Sequence, residues 1–130
     1  MFVNELSHEE KVCMVRLFTF IARADGQIAS QEWEFLNSFA QEHGLTYDIH
    51  EVMPLSIVCA SFTTLKSKVI VVQKMIELAM SDGHYDDAER KQIVEISELL
   101  NLPHEKLIEI ESWCIEGQRW QERGVTMLSA

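Results

Sequence analysis

The chain has 130 residues, 47% of them hydrophobic, and a formal net charge of −10; that is enough apolar material for one domain around one core. The acidic balance repels phosphate and anionic lipid while attracting cations and basic segments, so nucleic-acid binding is disfavoured. No run approaches the roughly 18 uninterrupted apolar residues of a membrane span, and Met1-Phe2-Val3-Asn4-Glu5 lacks the basic and apolar regions of a signal peptide, so a cytoplasmic protein without membrane insertion is expected.

In chain order, Ser7 and Glu10 stand at capping-box spacing and open a first helix, whose Met14, Leu17, Phe18, Ile21 and Ala24 recur at helical intervals. It ends at Asp25-Gly26. A second helix is predicted from about Ser30 to His43, burying Trp33, Leu36, Phe39 and Ala40 and stopping at Gly44. A short third helix near Thr46 to Met53 is closed by Pro54. The β-branched apolar run Leu55 to Phe62 fits either an extended connector or a helical turn, and the connector is preferred. Thr63 or Thr64 then caps a long helix in which Leu65, Val69, Val72, Ile76 and Ala79 step by 4, 3, 4 and 3, the period of a helix buried along one face. After Asp82-Gly83, a helix from about Asp87 to Leu100 is followed by Asn101 as a left-handed cap and Pro103 as the start of the next segment. That segment carries Leu107, Ile110, Trp113 and Cys114. The stretch Gly117 to Val125 is read as a last short helix, with Trp113 and Trp120 packed back onto the bundle. The fold class is all-α, a single-domain bundle of about six to seven helices.

Two copies of one acidic signature lie 57 residues apart, Ala24-Asp25-Gly26-Gln27-Ile28-Ala29-Ser30-Gln31-Glu32 and Ser81-Asp82-Gly83-His84-Tyr85-Asp86-Asp87-Ala88-Glu89. The register extends outward, pairing Ile21 with Leu78, Leu36 with Ile93 and Leu45 with Leu102. The chain therefore reads as a tandem duplication, with repeat units of about 8–45 and 65–102. Gly suits the left-handed position past a helix end. In the second copy Asp86 and Glu89 have capping-box spacing; in the first, Ala29 stands where Asp86 would, and Ser30 is the better cap.

On these residues the chain resembles the TerB-like family of all-helical modules with paired alanine-Asp-Gly, hydrophobic, Glu motifs. The resemblance rests on Ala24, Asp25, Gly26, Ile28 and Glu32 and on Asp82, Gly83, Tyr85 and Glu89, within a helical register from about residue 8 to 128. The second copy departs from the family pattern at Ser81 and Tyr85. What the resemblance implies is an acidic surface formed by Asp25, Glu32, Asp82 and Glu89 that binds a divalent cation, in a stress-related or tellurite-resistance setting.

The residues themselves leave two readings of the motif. In one, Asp25 and Asp82 are turn residues that bond their own loop amides, and Glu32 and Glu89 are capping glutamates. A carboxylate at a helix C-terminus costs on the order of 0.3–1 kcal/mol against the macrodipole, which offsets the ~1 kcal/mol that a local hydrogen bond returns. The turn therefore does not require Asp twice, and a second use follows. If the duplication sets the two turns side by side, the four carboxylates form one cluster suited to magnesium, calcium or manganese. His84 would tilt that site toward zinc, but a single turn histidine also reads as solvated. A calcium hand is excluded, because Asp25 and Asp82 would be loop position 5 and the ligand positions 1 and 3 would be Ile21 and Arg23, or Leu78 and Met80.

From Ala24 to Leu65 there are six acidic residues, Asp25, Glu32, Glu34, Glu42, Asp48 and Glu51, and no Lys or Arg. The alternative function is accordingly an acidic interaction module that docks a basic protein without metal. Cys13, Cys59 and Cys114 are odd in number and set among apolar neighbours, so they read as reduced core residues. There is no phosphate loop, nucleophile motif or His-Glu-x-x-His helix, and no catalytic residue is assigned. The oligomeric state is not legible.

Overall fold

The computed structural model describes residues 2–22, 30–46, 53–80 and 85–129, without the side chains of 22 and 30–32. Within them every regular element is helical. A 3-10 turn at Val3–Glu5 leads into α1 (His8–Ala22), α2 (Ser30–Glu42), α3 (Leu55–Cys59), α4 (Leu65–Ala79), α5 (Asp87–Leu99) and α6 (His104–Met127).

Helix starts follow from local hydrogen bonding. Ser7 Oγ accepts from the Glu10 amide at 3.1 Å while Glu10 Oε1 accepts from the Ser7 amide at 2.8 Å, which completes the box at α1. Thr64 caps α4 the same way, with Ser67 as its reciprocal partner. Helix ends are equally matched. Gly44 (φ 65°) and Asn101 (φ 56°) both adopt the left-handed conformation, and the next amide closes back five residues, Leu45 to the Ala40 carbonyl at 2.8 Å and Leu102 to the Ser97 carbonyl at 2.9 Å. Leu45 and Leu102 are buried beneath these ends, which supplies the apolar contact that accompanies such a stop.

The repeat is visible in the element bounds. α1 and α4 each span 15 residues and α2 and α5 each span 13, with His8 and Leu65, Ala22 and Ala79, Ser30 and Asp87 all 57 positions apart. α4 is the central helix, packing against α1, α2, α5, α6 and the N-terminal 3-10 turn. It is accordingly buried round most of its circumference, at Ile70, Val71, Val72, Met75, Ile76, Leu78 and Ala79, whereas Leu65 at its mouth is exposed. Phe18 joins α1 to α2 by edge contacts with Phe35 and Phe39 at centroid distances of 5.7 and 5.3 Å. A fully buried phenylalanine contributes about 1.5–3 kcal/mol.

Two expectations are corrected. Leu55–Cys59 is a helix, not an extended connector: Pro54 precedes it with φ fixed for a helix start, and Val58 and Cys59 turn into the core. The C-terminal segment is not a separate short helix but a continuation of α6 through Gly117 and Gly124 to Met127. Trp113 reaches back to Phe2, at a ring-centroid distance of 6.5 Å, while remaining 44% exposed; Trp120 is 69% exposed, and Trp33 is only half-buried. The expected short helix near Thr46 to Met53 falls largely on residues 47–52, outside the described ones.

Candidate functional site

The second motif copy is the part of the site that can be built from side chains. Asp86 is the N-cap of α5, and its Oδ1 accepts from the Glu89 amide at 2.8 Å. This is the role its spacing predicted. Glu89, the third residue of the helix, is buried at 7% exposure, whereas Asp86 and Asp87 are exposed. Glu32 is the third residue of α2, so the two motif glutamates occupy equivalent helical positions. Asp25, Asp82 and His84 lie outside the described residues. Among the described residues no group of three His, Cys, Asp or Glu side chains is placed to hold a metal ion.

Beside Glu89 the structure assembles a polar clamp that sequence reasoning missed. Glu111 of α6, 6% exposed, accepts from the Tyr85 hydroxyl at 2.8 Å through Oε2 and from Arg90 through both oxygens, at 2.9 and 3.1 Å. The Arg90 fork is bidentate, the geometry that gives direction as well as strength. Burial pushes the Tyr85 phenol well above its ordinary range, and its bond to the Glu111 carboxylate adds to this, so Tyr85 is a donor throughout the physiological range. Arg90 is held protonated more firmly by its hydrogen bonds to Glu111. Tyr85 is the motif's hydrophobic position and one of the two departures from the family pattern, and here that departure ties the approach to α5 to α6. The available signal was Glu111 itself, an acidic residue inside the apolar stripe of Leu107, Ile110 and Cys114.

The three cysteines are free. Cys59 and Cys114 are pushed up to about 11 by burial, with Cys13 adding to the effect at Cys59 and Glu77 at Cys114. Protonated, apolar-set thiols of this kind are poor nucleophiles and poor metal ligands. No helix among the described residues is long and apolar enough to cross a membrane.

Among the described residues the chain is an all-helical bundle in which α1 and α4, and α2 and α5, are of equal length and lie 57 positions apart. Residues 55–112 match the family model described as tellurite resistance protein TerB, and this part of the chain is similar to that family. The matched segment takes in α3, α4, α5 and α6 as far as the clamp residue Glu111. No curated protein and no solved structure matches the chain significantly.

Proposed function

We propose that this chain is a non-enzymatic TerB-like binding module that takes a divalent cation between its two acidic turns, with Asp25, Glu32, Asp82 and Glu89 as ligands. The observation that carries the reading is the repeat itself: Glu89 and Glu32 are each the third residue of their helix, α5 and α2. The motif repeats an Asp before each. Four carboxylates brought together would repel one another, and a hard cation relieves that repulsion while taking their oxygens as ligands. The residue chemistry suits calcium, magnesium or manganese, with His84 as the added ligand that would favour zinc.

A cytoplasmic setting belongs to the same proposal and is supported by the unpaired thiols, which an oxidising compartment would not keep. A stress role related to tellurite resistance rests on the family description alone. Calorimetric titration of the full chain with calcium, magnesium, manganese and zinc tests the cation site. Saturable binding near one ion per chain is expected for at least one of the four. Heats of dilution alone with all four would leave the acidic residues as a docking face for a basic protein and overturn the cation reading.

A further inference from the structure

α6 carries a second apolar face that the bundle does not use. Beyond Ser112 only Cys114, Ile115 and Gln118 are partly covered, and Trp120, Val125 and Met127 stand out in water. Helical peptides shorter than about 12–15 residues are marginal in water, and Gly117 and Gly124 each cost about 1 kcal/mol more than alanine inside a helix. Trp113, Gly117, Trp120, Gly124 and Met127 step by 4, 3, 4 and 3 along α6, the spacing of a two-helix seam. This stripe is turned by roughly 100° from the side that Leu107, Ile110 and Cys114 present to the core. A Cβ added at Gly117 or Gly124 would meet nothing within 4 Å, so both glycines are bare to an approaching helix. Trp113, Gly117 and Trp120 also form one wall of a groove of about 930 Å³, with Ile70 of α4, Met80 at the end of that helix and Phe2 among its other residues.

We propose that this seam is a homodimer interface, in which the distal half of α6 from a second copy lies antiparallel along the same half of the first. Charge selects the occupant. Between Trp113 and Leu128 the chain carries Glu116, Arg119, Glu122 and Arg123, two of each sign, so this segment is neutral on a chain of net charge −10 and two copies can approach here without mutual repulsion. None of the four makes an ion pair with a described residue. The antiparallel arrangement sets Trp113 against Gly124 of the second copy and Gly117 against Trp120, so each indole covers a glycine. It also brings Glu116 of each copy to Arg123 of the other, the flanking position at which opposite charges set orientation. A parallel pair would stack Trp120 on Trp120 and place Glu116 beside Gln121. The antiparallel relation is a closed two-fold in which each contact occurs twice.

Sedimentation equilibrium of the full chain, from low micromolar to several hundred micromolar, tests this. The parent should rise with concentration to twice the 15.0 kDa of one chain. Glu116→Arg alone and Arg123→Glu alone should each weaken dimerisation by at least about tenfold, because each sets like charges together twice, and the double variant should recover to within about threefold of the parent. Trp120→Ala should remain monomeric over the same range. All three residues are exposed, so the bundle itself is not at risk, and circular dichroism of each variant checks that. A parent of 15.0 kDa at every concentration, single variants that dimerise like the parent, or a double variant as weak as the singles would each overturn the proposal.

Discussion

Glu111 accepts three hydrogen bonds from two side chains while almost fully withdrawn from water. Such a carboxylate is stable only with its donors in place. Arg90→Met should destabilise by about 2–4 kcal/mol, chiefly because the Glu111 charge is left buried. Adding Glu111→Leu should recover most of that loss; chemical denaturation of both variants measures it, and a double variant no better than the single would show that the clamp is not the source. The buried thiols make a second prediction. Unfolded cysteine ionises near 9.0 and the folded Cys59 and Cys114 near 11, so the native state keeps protons that the unfolded state releases. Stability that is complete below about pH 9 should therefore fall as pH rises toward about 11, by on the order of 1–3 kcal/mol per thiol, and the buried Tyr85 phenol acts in the same direction at higher pH. Urea midpoints at about pH 8 and about pH 10.5 read this directly, and replacing both cysteines with alanine should flatten the difference. At this scale the caps were legible in the sequence, because Ser7 with Glu10 and Asp86 with Glu89 bond within one helical turn. The clamp was not, because Arg90 and Glu111 meet only through the packing of α5 against α6.

Among the elements, α4 carries the most packing. Val72 is fully buried on it, and Val72→Asp should cost about 3–5 kcal/mol, the effect of an unpaired charge in a core; tolerance of the change in thermal melts would mean that this helix is misplaced. Periodicity marked one face of α4, whereas its real burial runs most of the way round because five other elements surround it, which no local pattern encodes. The stops at Gly44 and Asn101 were readable because each demands a positive φ. Residues 55–59 were misread for the opposite reason: a β-branched run of that length fits strand and helix alike, and tertiary burial of Val58 and Cys59 decides it. In α6 the glycines suggested a break, yet the helix runs through both, since a glycine lowers helix propensity without forbidding the conformation.

In the whole molecule, two helix pairs of equal length recur at one period around α4, and the acidic motif stands at the same place in each. Helical class and the period of 57 were open to reading from the sequence, because they follow from side-chain spacing and local capping. Whether Asp25, Glu32, Asp82 and Glu89 meet depends on how the two units dock, for which the sequence holds no local signal; Glu89 alone of the four is described with its side chain. The cation claim is tested most directly by thermal melting of the parent and of Asp25→Asn with Asp82→Asn, each with and without divalent ions. Asn is as well suited as Asp to bond its own loop amides and tolerates the same turn backbones. A ligand ion should raise the parent's Tm by mass action on the native state, while the double variant should ignore ions and, without them, melt at or slightly above the parent because two charges have left negative helix ends. A parent Tm indifferent to all four ions, with a double variant that is markedly less stable, would contradict the account and leave both aspartates as turn residues.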